Sequence, residues 1–279
     1  MYVVMLSDFS GNSEDFNKIS VWIQGGLHAR EWISQAVALR LINKLSTPTK
    51  DVYINQILSK FIIYILPFAN PDGFVYTWKV DRLHRKNTNF SKSTAYDPVK
   101  NIRPGVDLNR NFDFDWGGEG CSNDPGEFDY AGETPFSEPE TKNIKNFLTN
   151  HVKNLQVFID LHAFSQLISY PFGHKRNSYS EDYTDLHDCA LEMSRRMKSV
   201  YGRKYSVGSI GDRMGEMSGT STDWSKHELG AKYAYMIELR PRHSWESQEN
   251  CGFILAEEHI IPTADELWAG LTAVLDKFL

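Results

Sequence analysis

The segment Gly25-Gly26-Leu27-His28-Ala29-Arg30-Glu31-Trp32 decides how this sequence is interpreted. It follows the apolar run Ile19-Ser20-Val21-Trp22-Ile23, which is typical of a buried strand. Two consecutive glycines permit the sharp turn by which such a strand delivers side chains to the edge of a sheet. An imidazole and a carboxylate, here His28 and Glu31, can bind one zinc ion if a third ligand comes from elsewhere in the chain.

Two later strand-like runs end in side chains of the required kinds. Val157, Ile159 and Leu161 alternate up to His162, and Tyr233 to Ile237 leads to Glu238. Ligands of open α/β sheets collect at the carboxyl ends of the strands, which makes His162 the candidate third ligand. An acid at the end of a buried strand is costly unless it is paired or used, so Glu238 is the candidate catalytic carboxylate.

With its Glu-Leu-Arg ending at residues 238–240, this pattern resembles the funnel-type zinc metallocarboxypeptidases of the carboxypeptidase A/B group. The resemblance extends from about Ile19 to the C-terminus. It implies that His28, Glu31 and His162 bind one zinc ion and that Glu238 is the general base. The implied function is hydrolysis of the C-terminal peptide bond, which releases the terminal amino acid. The implied fold is a single-domain α/β/α sandwich with a mixed, largely parallel, eight-stranded sheet, to which strands alternating with helices also point.

The resemblance also implies the groups that hold the substrate. Asn109 and Arg110 match the residues that bind the terminal carboxylate, and an amide beside a forked guanidinium suits that anion. Arg30 is a further candidate. Asp107 matches the residue that accepts the second ring N–H of the first zinc histidine.

A basic cluster, Arg82, His84, Arg85 and Lys86, lies within an irregular polar stretch. It is interpreted either as a solvated loop or as a rim for the anionic end of the substrate. The second interpretation rests on Arg85-Lys86, which matches an Arg-Lys pair of the family.

Two positions depart from the family. Thr88 replaces the arginine that stabilises the tetrahedral intermediate, and Gly215 replaces the tyrosine that closes the site. Thr222 at the floor of the specificity pocket carries no charge, which disfavours basic terminal residues. Arg213 would favour an acidic terminal residue if it reached the pocket.

Three functions remain open at this point. The first is an active zinc carboxypeptidase acting on peptide C-termini. The second, favoured by Thr88 and Gly215, is a zinc-binding homologue that captures peptide C-termini with little turnover. The third is an amidohydrolase of N-acyl amino acids, which would not need the extended match from Asn70 to Glu238.

Composition narrows the class of protein. The 279 residues carry a net charge of −6, which argues against nucleic acid as a partner, and 41% of them are hydrophobic. No apolar run reaches the roughly 18 residues of a membrane span, so no membrane partner is predicted. A monomer is expected.

The domain organisation and the N-terminal residues give two further expectations. Residues 1–279 are predicted to form one catalytic domain, and the start lacks the features of a signal peptide. The resemblance implies that a further N-terminal portion and a propeptide are missing, and it alone implies secretion.

The three cysteines do not predict a set of disulfide bonds. Of Cys121, Cys189 and Cys251, at least one is unpaired. Arg103 and Gly126 occupy the two positions of a disulfide found in vertebrate relatives, so that bridge is absent and Cys121 is a displaced or free thiol.

Local patterns predict the remaining elements. The predicted elements are helices over Trp32 to Leu45 and Tyr183 to Tyr201, capping boxes at Ser137-x-x-Glu140 and Thr263-x-x-Glu266, a strand over Phe61 to Leu66, a turn at Asn70-Pro71-Asp72-Gly73 and a loop from Gly117 to Thr134.

Overall fold

A computed structural model describes residues 1–9, 18–48, 50–90, 104–242 and 251–279. Strands and helices alternate along most of the chain. The strands are β1 (Val4–Leu6), β2 (Ile19–Gly25), β3 (Phe61–Leu66), β4 (Leu155–Ser165), β5 (Leu167–Tyr170), β6 (Ser206–Ser209) and β7 (Tyr233–Arg242). The helices are α1 (Trp32–Ser46), α2 (Val52–Lys60), α3 (Pro71–Lys79), α4 (Pro139–His151), α5 (Tyr183–Tyr201), α6 (Ile210–Met214), α7 (Ser221–His227) and α8 (Ile260–Leu275).

One mixed sheet organises these elements in the order β1-β3-β2-β4-β7-β5-β6. The pairs β1–β3 and β5–β7 are antiparallel and the other neighbours are parallel. The predicted fold class, an α/β protein with a mixed and largely parallel sheet, is therefore confirmed. Within the described ranges the sheet has seven strands, one fewer than the resemblance implies.

Both faces of the sheet are covered by helices. Alternate residues of each strand point to opposite faces, so Ile159 and Leu161 join one core and Phe158 joins the other. The first core packs against α1, α5 and α8, and the second receives Ile144 and Leu148 from α4. Burial on both sides explains why the central strands are continuous apolar runs.

The glycine pair makes the turn that ends β2. A Cβ on Gly25 would lie 2.8 Å from the carbonyl oxygen of Ser34, and Gly26 has a φ of 75°. Both positions therefore exclude larger side chains. The chain then reaches Glu31 at the N-cap position of α1, a helix that matches the predicted one and ends one residue later, at Ser46.

The turn predicted at residues 70–73 is wrong, because the helix α3 begins there. Pro71 occupies the first turn of the helix, where its missing N–H costs nothing. The side chain of Asn70 caps the helix by accepting a hydrogen bond of 3.0 Å from the backbone N–H of Gly73. Residues typical of a turn thus serve as the start of a helix.

The capping box predicted at Ser137 does not form either. Helix α4 begins at Pro139 with Glu138 at the N-cap and no side-chain cap. Ser137 Oγ instead donates to the Glu138 carboxylate over 2.7 Å. Ser137 Oγ also accepts a hydrogen bond from Asn111 Nδ2 over 2.9 Å, so side chains occupy the hydroxyl that was expected to cap the helix.

The second capping box, at Thr263, lies inside α8. That helix begins at Ile260, and Thr263 Oγ1 donates to the backbone carbonyl of His259 over 2.6 Å. Glu266 accepts from the buried Arg240, with 2.9 Å between Nε and Oε2. A charge-assisted contact with another element outcompetes the local cap.

Asp223 on α7 provides a prediction about stability. Its Oδ2 accepts hydrogen bonds from the backbone N–H groups of Gly173 and His174, while Oδ1 has no partner among the described residues. Burial, with a further contribution from the nearby Asp115 carboxylate, raises the pKa of Asp223 to about 7. The unfolded chain therefore loses this proton near pH 4 and the folded protein near pH 7, so the carboxyl costs stability as the pH rises between those values.

Replacing Asp223 by Asn should remove this pH-dependent cost. We expect Asp223→Asn to gain about 2 to 4 kcal/mol in unfolding free energy, relative to wild type, between pH 4 and pH 8. Urea unfolding in chelator at several pH values measures the difference, with Asp188→Asn on the exposed face of α5 as the matched control. A gain that is the same at every pH would contradict the assignment.

Cysteines and helix lengths complete the description. Cys121 and Cys189 are free thiols. For Cys121 this is one of the two states predicted from the absence of the family disulfide. Arg103, at one position of that disulfide, lies outside the described residues. Over the described ranges, every helix is too short or too polar to cross a bilayer.

Candidate metal centre

Three buried side chains converge at the end of β2 and on β4. His28 Nδ1 lies 2.8 Å from Glu31 Oε1, and His162 Nδ1 lies 3.0 Å from Glu31 Oε2. The two Nδ1 atoms are 3.0 Å apart. These separations approach the roughly 3.3 Å between ligands of a tetrahedral zinc ion with bonds of about 2.0 to 2.1 Å. The donor set and its spacing therefore fit one zinc ion.

The sheet places a carboxylate beside this group. His162 on β4 is paired in register with Glu238 on the parallel neighbour β7, so their side chains lie on the same face. Both strands continue beyond these residues, to Ser165 and Arg242. The prediction that His162 and Glu238 end their strands is therefore wrong, although their common location was correctly inferred.

The charges of this group shift one another's pKa values. Burial alone would raise the pKa of Glu31, but His28 and His162 outweigh it and hold that pKa far below its usual range. Burial would lower the pKa of His162, but Asp160 and Glu31 raise it well above its usual value. A carboxylate held ionised between two imidazoles is the state that a cation requires.

The pKa of Glu238 is raised, whereas that of Glu31 is lowered. It is 7% exposed, and burial together with the charge of Glu31 raises its pKa to about 7. A carboxyl that titrates near neutrality can both accept and return a proton, which is what general acid–base catalysis needs.

Asp107 joins His28 to Arg85. Its Oδ1 accepts from His28 Nε2 over 3.0 Å, while its Oδ2 accepts from Arg85 Nε and Nη2 over 3.1 and 2.8 Å. Arg85 Nη1 lies 3.2 Å from His28 Nδ1. Burial opposes ionisation of Asp107, but Arg85 and His28 keep its pKa well below the usual range.

The rest of the basic cluster is not a solvated loop. Lys86 is 1% exposed, and its amine donates to the backbone carbonyls of Pro125 and Glu127 over 2.9 and 2.6 Å. Burial lowers the pKa of this amine to about 8. His84 is also buried, and the guanidinium of Arg82 lies 3.7 Å from the ring centroid of Trp32. Arg82, His84 and Lys86 are thus packed against other parts of the protein, and Arg85 contacts the metal centre.

The carboxylate-binding candidates lie next to the metal group. Asn109 Nδ2 is 3.2 Å from His162 Nε2, and Asn109 Oδ1 accepts from the Ser221 backbone N–H over 2.9 Å. Arg110 donates through Nε to the carbonyl of Gly120 and through Nη1 to that of Asn109. Its third nitrogen, Nη2, has no acceptor among the described residues. The guanidinium of Arg30 lies 4.0 Å from the ring centroid of Phe253.

The positions that depart from the family have different surroundings. Thr222 is fully buried on α7, and its hydroxyl has no hydrogen-bond partner among the described residues. Gly215 follows α6 with a φ of 92°, and a Cβ there would meet nothing within 4 Å. Thr88 is half-buried. Arg213 is exposed and donates to the carbonyl of Val207 on the edge strand β6, so its role in specificity stays a prediction.

One residue of the centre was missed from the sequence. Asp160 Oδ2 lies 2.9 Å from His162 Nε2, and Asp160 is fully buried. The signal was available, because side chains two residues apart on a strand share a face.

The fold and this group define a single-domain α/β protein with a centre suited to one zinc ion. A family profile described as zinc carboxypeptidase matches residues 1–270, and the chain belongs to that family.

The similar proteins agree with the family. Carboxypeptidase A4 of Mus musculus is 39% identical over 277 residues, which are 99% of this chain and 61% of the mouse protein. Carboxypeptidase A2 of Rattus norvegicus is 37% identical over 261 residues, 93% of this chain and 59% of the rat protein. The structure of bovine thrombin-activatable fibrinolysis inhibitor, in complex with tick carboxypeptidase inhibitor, has a TM-score of 0.84 at 33% identity and covers 100% of this chain and 85% of the bovine chain. The chain thus spans about three fifths of the length of the two curated relatives.

Proposed function

We propose that this protein is a zinc-dependent carboxypeptidase that hydrolyses the last peptide bond of its substrates and releases the terminal amino acid. The observation that carries the proposal is the convergence of His28, Glu31 and His162 beside Glu238 on the paired strand. Membership of the zinc carboxypeptidase family supports it. Secretion, which the resemblance implies, and the expected monomeric state stay predictions.

His28 and His162 would bind the ion through Nδ1, because their Nε2 atoms face Asp107 and Asp160. Glu31 would supply the oxygen ligand. When bound, zinc polarises the scissile carbonyl and makes a water molecule more acidic.

Glu238 would move the proton. As the water oxygen bonds to the carbonyl carbon, Glu238 accepts a proton from that water. It then donates the proton to the leaving nitrogen as the carbon–nitrogen bond breaks. The products are a shortened peptide acid and a free amino acid, so atoms and charge balance.

Arg85 is the candidate for the group that stabilises the oxyanion of the tetrahedral intermediate, in place of the arginine absent at Thr88. Two of its nitrogens are held by Asp107, and the third, Nη1, is turned towards the side of His28 that faces Glu31. The neighbouring cation, Lys86, has its amine engaged by two backbone carbonyls.

The proposed function is tested with zinc-loaded, folded protein on blocked dipeptides that end in aromatic, aliphatic, basic or acidic residues. Release of the single terminal residue would support the proposal and report the preferred side chain. Because Thr222 is uncharged, we expect apolar ends to be preferred over basic ones.

A second candidate function follows from Thr88 and Gly215. A homologue that lacks these two groups would bind peptide C-termini and turn them over slowly. Folded protein that binds one zinc ion and a peptide with a free carboxylate, yet releases no amino acid, would favour this alternative.

Arg110 should decide whether a free carboxylate is recognised. We expect Arg110→Ala to lower kcat/KM for a free C-terminus by about 10- to 150-fold, because one or two charge-assisted hydrogen bonds are lost. Arg110→Lys keeps the charge but loses the forked geometry, and should recover only part of the activity. The measurement is the ratio of rates on a peptide and on its C-terminal amide. A ratio unchanged from wild type would exclude Arg110 from carboxylate recognition.

A further inference from the structure

Both candidate zinc histidines have a carboxylate behind the ring. Behind His28 it is Asp107, at 3.0 Å from Nε2, as the family resemblance implies. Behind His162 it is Asp160, at 2.9 Å from Nε2, for which the resemblance gives no counterpart. Each of the two imidazoles therefore has a carboxylate within hydrogen-bond distance of Nε2.

The position of Asp160 is fixed by the sheet. It lies two residues before His162 on β4, so the two side chains share a face of the strand. Its neighbours across the sheet are Met236 on β7 and Gln24 on β2, and the Nε2 atom of Gln24 makes no hydrogen bond among the described residues. Burying a charge in such a place is costly unless it has a specific partner.

Two contacts hold the Asp160 carboxylate. Oδ2 accepts from Ser221 Oγ over 2.5 Å and from His162 Nε2 over 2.9 Å. Oδ1 has no partner among the described residues. These two contacts compensate for burying the charge, and the one to the imidazole ties the carboxylate to the metal centre.

We propose that Asp160 is a positioning residue for zinc: it keeps the His162 proton on Nε2, leaves Nδ1 free to bind the ion, and tightens zinc binding. The inference rests on the zinc site of the proposed function but not on turnover. A carboxylate behind a metal-binding imidazole fixes its tautomer and orientation and raises its basicity, and loss of such a partner commonly costs about 10- to 100-fold in metal affinity.

Asn109 provides the competing arrangement. Its Nδ2 lies 3.2 Å from the same ring nitrogen of His162. If Asn109 donated to Nε2, the proton of the neutral ring would sit on Nδ1, and that atom could not bind zinc. The shorter and charged contact with Asp160 favours the Nε2–H form.

Zinc competition with a calibrated chelator tests the proposal. We expect Asp160→Asn to bind zinc about 10- to 100-fold more weakly than wild type and to lose it faster. Asp223→Asn is the matched control, since it makes the same change at another fully buried aspartate that contacts no zinc ligand, and its zinc affinity should equal that of wild type.

A spectroscopic readout separates positioning from a general loss of structure. In zinc-loaded protein labelled with ¹⁵N-histidine, His162 should carry its proton on Nε2, and Asp160→Asn should move that N–H resonance upfield while the His28 resonance stays in place. Ser221→Ala, which removes the other hydrogen bond to the same carboxylate oxygen, should also shift this resonance. It carries the test if Asp160→Asn does not fold.

Wild-type zinc affinity in Asp160→Asn, an unmoved His162 resonance in Ser221→Ala, or a His162 proton on Nδ1 would each overturn the inference while leaving the proposed function intact. Zinc-loaded wild type that releases no amino acid would overturn the proposed function and leave this inference standing.

Discussion

Glu238→Gln is expected to lower kcat on the best blocked dipeptide by about 10²- to 10⁴-fold, with KM and zinc content close to those of wild type. Gln has nearly the same shape as Glu but cannot accept the proton of the attacking water. The burial that raises the pKa of Glu238 to about 7 leaves this carboxyl able to exchange protons near neutral pH.

The measurement is a steady-state assay beside a metal analysis of the same samples. Glu228→Gln, the same substitution at an exposed residue just after α7, should behave as wild type. If Glu238→Gln retains most of the activity, another group takes the proton and the proposed mechanism is wrong.

Arg85→Ala is expected to lower kcat by about 10²- to 10³-fold, the usual loss when one donor to a developing oxyanion is removed. Arg85 is 14% exposed at its side chain and is anchored to Asp107, so its third nitrogen, Nη1, is held in a fixed direction beside His28. A phosphonate analogue of the tetrahedral intermediate should lose affinity in parallel with kcat/KM, while a substrate-like inhibitor should lose much less.

The control restores the arginine where the family has it. In the double variant Arg85→Ala/Thr88→Arg we expect part of the lost kcat to return, with zinc affinity measured in each variant to separate catalysis from damage to the Asp107–His28 pair. Unchanged binding of the phosphonate by Arg85→Ala would show that Arg85 does not stabilise the oxyanion.

Sequence patterns predicted those features that depend on a strand and the turn after it. The glycine pair, His28 and Glu31 form a short local unit, and the alternation before His162 and Glu238 reports strands buried on both faces. Their convergence follows because parallel strands bring equivalent ends together. The fold class and the common location of these side chains could therefore be inferred before the structure was known.

Predictions failed where a local pattern competes with a distant partner. The Thr263 capping box did not form because Glu266 is bound by Arg240, a residue 26 positions away in the chain. The turn at Asn70 has the residues of a helix start, and one chain segment alone does not separate these alternatives. The hydrogen bonds from Arg85 to Asp107 join residues 22 positions apart, and a local sequence pattern does not predict such a contact.

The register between β4 and β7 fixes the relative positions of His162 and Glu238, whereas other residues near the centre are not held by strand pairing. A slip of one residue would turn His162 and Glu238 to opposite faces, so the backbone pairing sets the distance between the proposed metal ligand and the proposed base. Arg110, Gly215 and Thr222 lie instead on loops and short helices. If the proposed function holds, we expect substitutions and insertions there to change which peptide end is accepted while the paired strands stay unchanged.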